Sequence, residues 1–469
     1  MLFNLAQKIK RFINIFIGKG IINMDNKTIY ALSTVFGKSG VAVFRISGNK
    51  ALQAVKKMSD IDIKNIQPRH AYFTKIHGVD KKTLDYAVVI YFQSPNSFTG
   101  EDVVEISSHG SKAVISSILA NLSQINGFRL SEAGEFSKRA FYNNKMDLTE
   151  AEGLSDLIDA ETLEQQKYAL RQMSGELKNL YDGWRSRLVE VLSHLEAYID
   201  FPDEELPDNI VLNLENTVFK IKESIKQHLS QSNYGERLKD GFRVVIIGEP
   251  NSGKSSLLNT LAHRDAVIVS DIAGTTRDAI DIHMDINGYP VVFTDTAGLR
   301  NTNEVIEKKG IEIAHNRAKD ADLIIALIDG IKPNFEQFND IASDCKNKII
   351  YVVNKSDLID KKHRSDFEKS DFVIISAKNK DGIDTLINII SNRISSEFTQ
   401  NSSALITRQR YREILNDVFK NLERFNLNKS IELAAEDIRL AARNIGKITG
   451  HIEVDEILDK IFGSFCIGK

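Results

Sequence analysis

Two cysteines in 469 residues, Cys345 and Cys466, are too few for a disulfide framework and cannot alone build a zinc site. The chain therefore reads as one for a reducing compartment, with a cytoplasmic location expected. Proline is as sparse at seven, with none between Pro95 and Pro202 and none after Pro333, which leaves two long stretches free to be helical. No segment approaches the ~18 uninterrupted apolar residues of a spanning helix, so no membrane role is expected. Charge of neither sign dominates: 61 Lys and Arg stand against 64 Asp and Glu, a formal net charge of −3. That balance advertises no nucleic-acid binding over the whole surface, although a local basic face is compatible with it.

What is present is enough apolar content, 42%, to fill the cores of the roughly two to four domains that the length predicts. Residues 1–24 carry four cations (Lys8, Lys10, Arg11, Lys19) and no acid. A single Arg and no Ser argue against a transit peptide, and Asn14 and Lys19 interrupt the apolar run a secretory signal needs. An extension ahead of a start at Met24 and a surface helix are the two readings that remain. Residues 25–142 mix strand-like runs (Val41–Ile46, Tyr86–Phe92, Val103–Ser107) with glycine and asparagine turns, an α+β domain. From Leu170 the apolar positions Leu170, Met173, Leu177, Leu180, Trp184, Leu188, Val191, Leu195 and Tyr198 recur every 3.5 residues, predicting one long amphipathic helix that stops at the Pro202–Pro207 hinge.

Short apolar runs then alternate with helical stretches: Val244–Ile247, Val291–Phe293, Leu323–Ile328, Ile349–Val353 and Phe372–Ile375. These read as buried parallel strands of a doubly wound α/β domain. The alternation Ile280, Ile282, Met284, Ile286 ahead of Asn287-Gly288 adds a hairpin and one antiparallel edge strand. Helical spacing returns after Arg408, with Ile438, Ala441, Ile445 and Ile448 on one face. An α/β unit thus interrupts a helical one, with expected boundaries at 1–24, 25–142, 143–238, 239–398 and 399–469.

Gly248-Glu249-Pro250-Asn251-Ser252-Gly253-Lys254-Ser255, followed by Ser256, matches the phosphate-binding pattern GxxxxGKS between a strand and a helix. Its glycines let backbone N–H groups surround phosphate oxygens, Lys254 reaches the terminal phosphates, and Ser255 suits Mg²⁺. Asp295-Thr296-Ala297-Gly298 ends the next strand, placing Asp295 toward Mg²⁺ through water and the Gly298 N–H toward the γ-phosphate. Asn354-Lys355-Ser356-Asp357 ends another, and the Asp357 carboxylate can accept from both N1–H and the exocyclic amine of guanine, which selects GTP. Ser376-Ala377-Lys378 completes the base pocket. Position 299 is Leu, not a water-orienting Gln, so another group must supply that chemistry. Asn251 can offer an amide oxygen to a monovalent cation such as K⁺, or simply make a loop hydrogen bond.

These motifs, together with Phe98-Thr99-Gly100-Glu101-Asp102, Asp271-Ile272-Ala273-Gly274-Thr275-Thr276-Arg277-Asp278 and Phe465-Cys466-Ile467-Gly468-Lys469, resemble the MnmE (TrmE) family of tRNA-modification GTPases over about residues 25–469. The resemblance implies a multidomain architecture: an α+β N-terminal domain that binds tetrahydrofolate and dimerises, a discontinuous α-helical domain, and an inserted Ras-like α/β GTPase domain. It implies Ser255 and Thr276 as Mg²⁺ ligands, and K⁺ held by Asn251 with Ser270, Ile272 and Thr275 of the 270–275 loop. Ser270 stands where the family usually carries Thr. Glu307 aligns with the catalytic glutamate; taken alone, it reads as a surface carboxylate. Arg45, Glu105, Lys145 and Lys469 take the folate-binding positions, although each alone reads as an ordinary surface or capping charge. Cys466 invites a nucleophile reading, but no Cys/His pairing can be read from the sequence, and a folate-pocket or redox-adjacent role without covalent chemistry is the preferred alternative. His109 reads as a turn or hydrogen-bonding residue. The implied activity is K⁺-stimulated GTP hydrolysis tied to a carboxymethylaminomethyl-type modification of the wobble uridine of certain tRNAs. A one-carbon unit would come from tetrahydrofolate, and the FAD-dependent MnmG would complete a heterotetramer with the homodimer. The rival reading is a regulatory GTPase of the ribosome-assembly kind.

Overall fold

A computed structural model describes residues 27–200, 208–263, 281–295, 319–345, 348–368, 372–398, 405–428, 430–452, 458, 461–463 and 465–468. The chain forms two compact units: Met1–Ser155 with Met173–Phe219 and Lys420–Lys469, and Asp156–Gln172 with Lys220–Phe419.

The first unit is built on strands β1 (Thr28–Leu32), β2 (Ser39–Ser47), β3 (Ala71–His77), β4 (Thr83–Phe92), β5 (Val103–Gly110) and β6 (Phe128–Leu130). They lie in the order β3-β4-β5-β2-β1-β6, antiparallel except for β1 beside β6. The period of two in β2 sends Ala42, Phe44 and Ile46 into the core and leaves Arg45 on the opposite face. Helix Ala51–Met58 covers the core face with Ala51, Ala54, Val55 and Met58, the i, i+3, i+4, i+7 spacing of a helix stripe.

The helical seam begins later than its spacing predicts. Leu170 sits half-exposed on a separate helix, Leu163–Met173, and the long helix is Glu176–Asp200. Gly175 takes φ +85° between them, a left-handed conformation that ends helices and that an apolar period does not register. From Leu177 the predicted Trp184, Leu188, Val191 and Leu195 are buried, but Tyr181 takes the buried place expected of Leu180, and Tyr198 is only partly covered. This helix packs on Ile431–Thr449, whose buried face carries Ala434, Ala435, Ala441 and Ala442 beside Ile438, Ile445 and Ile448.

Upstream, helix Leu148–Ile158 starts with a reciprocal cap: the Glu150 N–H donates to Asp147 Oδ1 at 2.8 Å and the Asp147 N–H to Glu150 Oε2 at 2.6 Å. Burial, reinforced by the Glu150 carboxylate, pushes the Asp147 carboxyl up to about 6 from 3.8. Its Oδ2 is buried without a hydrogen-bond partner.

The second unit holds β7 (Phe242–Ile247), β8 (Asp281–Ile286), β9 (Tyr289–Asp295), β10 (Leu323–Asp329), β11 (Ile349–Asn354) and β12 (Val373–Ile374). Their order is β12-β11-β10-β7-β9-β8, all parallel save β8, which returns against β9 through Asn287 (φ 53°) and Gly288 (φ 90°). The doubly wound sheet and its antiparallel edge are as the sequence predicts. Each central strand is apolar at consecutive positions because both faces are covered: Val244, Ile246, Ile325 and Leu327 join one core with helices Lys254–Ala262 and Ile383–Phe398. Val245, Ile247, Ile324 and Ile328 join the other, with Phe338 and Phe367. Among the described residues no helix is long and apolar enough to cross a membrane.

Two stability measurements test this description. Trp184→Ala should cost about 3–5 kcal/mol in urea unfolding, whereas Leu170→Ala should cost less than about 1 kcal/mol; equal losses would restore a single continuous seam. For Asp147 the folded value lies above the unfolded one, so its contribution is present below about pH 4 and lost as pH rises through about 6. Asp147→Asn, which retains the Oδ1 bonds from the Glu150 N–H and from Thr149 Oγ1, should therefore gain on wild type by about 1–3 kcal/mol between pH 4 and pH 7. A pH-independent difference in urea midpoint would refute it.

Candidate functional site

The carboxyl ends of β7, β10 and β11 meet at one cleft of ≈ 560 Å³, reaching from Asn251, Lys254 and Ser255 to Asp357, Ala377 and Lys378. On the phosphate side the loop after β7 turns through Asn251 at φ +67° and Gly253 at φ +99°. A Cβ on Gly253 would stand 2.2 Å from Asn354 Nδ2, so only glycine fits there. Helix Lys254–Ala262 starts at the next residue, directing its first N–H groups and its dipole at the cleft. Lys254 Nζ donates to the carbonyls of Gly248 and Glu249, each at 2.8 Å. Ser252 is buried, whereas Asn251, Ser255 and Ser256 are exposed.

On the base side, Asn354 is buried at the end of β11. Its Nδ2 donates to the Ser252 carbonyl at 2.9 Å and its Oδ1 accepts from the Ala377 N–H at 3.0 Å. Thr260 Oγ1 donates to the Ala377 carbonyl at 2.8 Å. Asp357 Oδ1 accepts from Ser376 Oγ at 2.7 Å, which orients the carboxylate predicted to read guanine. Lys355, at φ 64°, pairs with Asp329 at 2.6 Å. Burial raises the Asp329 carboxyl, but the Lys355 ammonium and the backbone amides of Ile331 and Lys332 outweigh it and hold it below the ordinary carboxylate range. Asp329, Thr260, Ile331 and Leu358 were not identified from sequence; only the acid-glycine pair closing β10 could have pointed to the first.

Asn251, Ser252, Gly253, Lys254, Ser255, Ser256, Asn354, Lys355, Asp357, Ser376, Ala377 and Lys378 thus lie along or directly behind one cleft. Asp295 ends β9, but its side chain lies outside the described residues. So do Ser270, Asp271, Ile272, Ala273, Gly274, Thr275, Thr276, Thr296, Ala297, Gly298 and Glu307, and with them the predicted switch loops. Among the described residues no group of three or more His, Cys, Asp or Glu could hold a metal.

A second cluster lies in the first unit, on the face of the sheet away from its core. The β2–β5 register sets Arg45 opposite Glu105, and Arg45 Nε donates to Glu105 Oε1 at 2.9 Å. The guanidinium lies over the rings of Phe98 at 5.2 Å and Phe136 at 5.8 Å. Its Nη1 approaches the Gly468 carbonyl at 3.5 Å, and Ser33 Oγ donates to that carbonyl at 3.2 Å. Ile467 forms a bridge with Ala133, and Gly468, at φ +98°, sits where a Cβ would be 2.5 Å from the Leu32 carbonyl. The 465–468 segment is thereby brought to Arg45; Lys469 lies outside the described residues, and Cys466 is exposed.

Lys145 packs its stem near Gly100, where an added Cβ would meet Lys145 Cε at 3.2 Å, so the Phe98–Glu101 loop connects it to Arg45. That loop is held by Asn143 Nδ2 to the Thr99 carbonyl at 2.7 Å, by the Ser47–Thr99 hydroxyl pair at 2.7 Å, and by Arg139 Nη1 to Glu101 Oε2 at 3.0 Å. Arg139 is buried and also donates to Glu135 at 3.0 Å. Burial raises the Glu135 carboxyl, yet Arg129, the Glu132 amide and Arg139 bring it below its ordinary value. His109 is exposed and its Nδ1 contacts Asp85 Oδ1 at 2.9 Å, the hydrogen-bonding role expected of it.

Comparison with known proteins covers nearly the whole chain. The family model described as the MnmE helical domain matches residues 148–466, and that of the GTP-binding protein TrmE N-terminus matches 28–145. A tRNA modification GTPase MnmE from Wolbachia sp. subsp. Brugia malayi (strain TRS) is 45% identical over 451 residues, 96% of this chain and 100% of the relative. The protein of that name from Rickettsia rickettsii (strain Sheila Smith) is 47% identical over 94% of this chain and 100% of its own length. Among solved structures, Era of Aquifex aeolicus bound to GDP and AlF4⁻ is 27% identical and covers 38% of this chain and 66% of that one at TM-score 0.27, too low to carry a structural inference. With one family model spanning 148–466 and relatives at 45–47% identity over nearly its whole length, the chain belongs to the MnmE family of tRNA modification GTPases.

Proposed function

We propose that the chain hydrolyses GTP in support of a carboxymethylaminomethyl-type modification of the wobble uridine of certain tRNAs. The observation that carries the nucleotide half is the joining of a phosphate loop, Asp357 and Lys378 in one cleft. In this reading Asp357, oriented by Ser376, accepts the two guanine N–H groups. Lys254 exchanges its two loop carbonyls for phosphate oxygens, and the helix N-terminus behind it stabilises the same charge. Ser255 lines the cleft with an exposed hydroxyl and fits a hard cation; with Thr276 it would hold Mg²⁺, which would neutralise phosphate charge. Asn251, exposed at the rim, would hold K⁺ with Ser270, Ile272 and Thr275, adding positive charge beside the scissile bond. Glu307 would orient the attacking water.

The second cluster fits a reduced folate. Glu105, a quarter exposed, can accept pterin N–H groups, Arg45 and Phe98 offer a cation and a ring, and Lys145 and Lys469 would complement carboxylate or carbonyl groups. A one-carbon tetrahydrofolate held there would supply the carbon of the new group. The remaining parts of the reading are a homodimer formed through the first domain and an FAD-dependent MnmG partner that shares the tRNA chemistry.

GTP turnover in KCl should exceed that in NaCl at equal ionic strength by about tenfold or more, and Asn251→Ala and Glu307→Ala should each abolish the difference. Equal rates in the two salts would reduce Asn251 to a loop residue. Calorimetry with 5-formyltetrahydrofolate should detect binding that Arg45→Ala weakens by about tenfold or more. A wild-type chain that binds no folate would favour a GTPase switch of the ribosome-assembly kind.

A further inference from the structure

We propose that Asp329 is a positioning residue of the nucleotide site, fixing Lys355 and Ile331 as the surfaces on which the base and ribose of a guanine nucleotide rest. This rests on the nucleotide reading above and assigns a task to a residue that does not itself line the cleft. The parallel register sets Asp329, the last residue of β10, beside Asn354, the last of β11. The crossing is tight: the Gly330 N–H donates to the Asn354 carbonyl at 3.0 Å, and a Cβ on Gly330 would lie 2.7 Å from that oxygen and 2.3 Å from Ile359 Cδ1. From there one carboxylate takes hold of two neighbours. Oδ2 accepts from Lys355 Nζ at 2.6 Å, and Oδ1 accepts from the Ile331 N–H at 2.9 Å.

Neither hold is explained by stability alone. The Lys355–Asp329 pair is partly exposed, at 28% and 18%, where ion pairs contribute little. Ile331 is 50% exposed and Leu358 63%, so neither apolar side chain is being placed in a core. All of Ile331, Leu358 and Lys355 line the cleft. With its ammonium drawn to Asp329, Lys355 presents a methylene stem there, and Ile331 and Leu358 form an apolar rim. A polar cleft edged in this way suits the flat apolar faces of a base and its sugar. Lys355 also holds φ 64°, uncommon for a residue with a Cβ, and the ion pair fixes its side chain in that setting.

The test is calorimetric titration of GDP into the full chain for wild type, Asp329→Asn, Asp329→Glu, Lys355→Met and the Asp329→Asn/Lys355→Met pair, with steady-state GTP hydrolysis beside it. Asp329→Asn should weaken GDP about 5- to 20-fold and raise KM with kcat changed less than about twofold. Asp329→Glu, which keeps the charge, should recover to within about threefold of wild type, and the double variant should bind no more weakly than Lys355→Met. Asp329→Asn binding within about twofold of wild type, Asp329→Glu as weak as Asp329→Asn, or a double variant showing the product of both losses would each overturn the proposal. A wild-type chain that does not bind GDP would overturn the nucleotide reading itself, and the proposal with it.

Discussion

The amide of Asn354 donates to a carbonyl of the phosphate loop and accepts an N–H from the loop after β12, so one buried side chain sets the distance between the two halves of the nucleotide cleft. Everything around it is arranged to allow that approach. Gly253 has no Cβ because the Asn354 amide occupies the space. The cores on both faces of the sheet make β7, β10 and β11 rigid enough to present their ends in register. A buried amide is costly to leave unpaired, and here both ends are satisfied by backbone groups of the two loops. The bond pattern therefore favours one loop geometry over all slightly different ones.

The first unit uses a comparable device with charge. Arg139 is buried, and its Nη1 and Nη2 donate to Glu101, to Glu135 and to the Lys27 carbonyl, while Nε is buried without a partner. Taking a guanidinium out of water gains little stability unless every partner is in place. What such a network provides is definition: Glu101 and Ser47 are fixed, and with them the loop that carries Phe98 beneath Arg45. Two different chemistries, a neutral amide and a buried ion network, thus hold loops at strand ends.

Much of this was legible in the sequence because the signals are local. Gly248–Ser255, Asn354–Asp357 and Asn287-Gly288 each encode a short backbone path with residue types that few other paths would require. The alternate-facing apolar runs of β7 and β10 state that both faces are covered. The break at Gly175 escaped because periodicity averages over single residues. Family resemblance alone grouped Arg45 with the C-terminal Lys469, since no spacing rule links them, and the contact of Arg45 with the Gly468 carbonyl across 423 residues came only from the structure. Asp329 reaches Lys355 across 26 residues through strand register alone, and register is not written in either strand's own pattern.

The contact between Arg45 and Gly468 also has a consequence in time. At about 5–20 residues per second on a ribosome, Gly468 emerges about 20 to 85 s after Arg45, given the 423 residues between them. The whole second unit is synthesised in that interval. The β2–β5 pairing that sets Arg45 against Glu105 lies within the first 110 residues, so its strands are complete while the 465–468 segment is still unmade. A chain interrupted before residue 465 would carry the residues of the Arg45–Glu105 pair without the 465–468 segment that stands beside them.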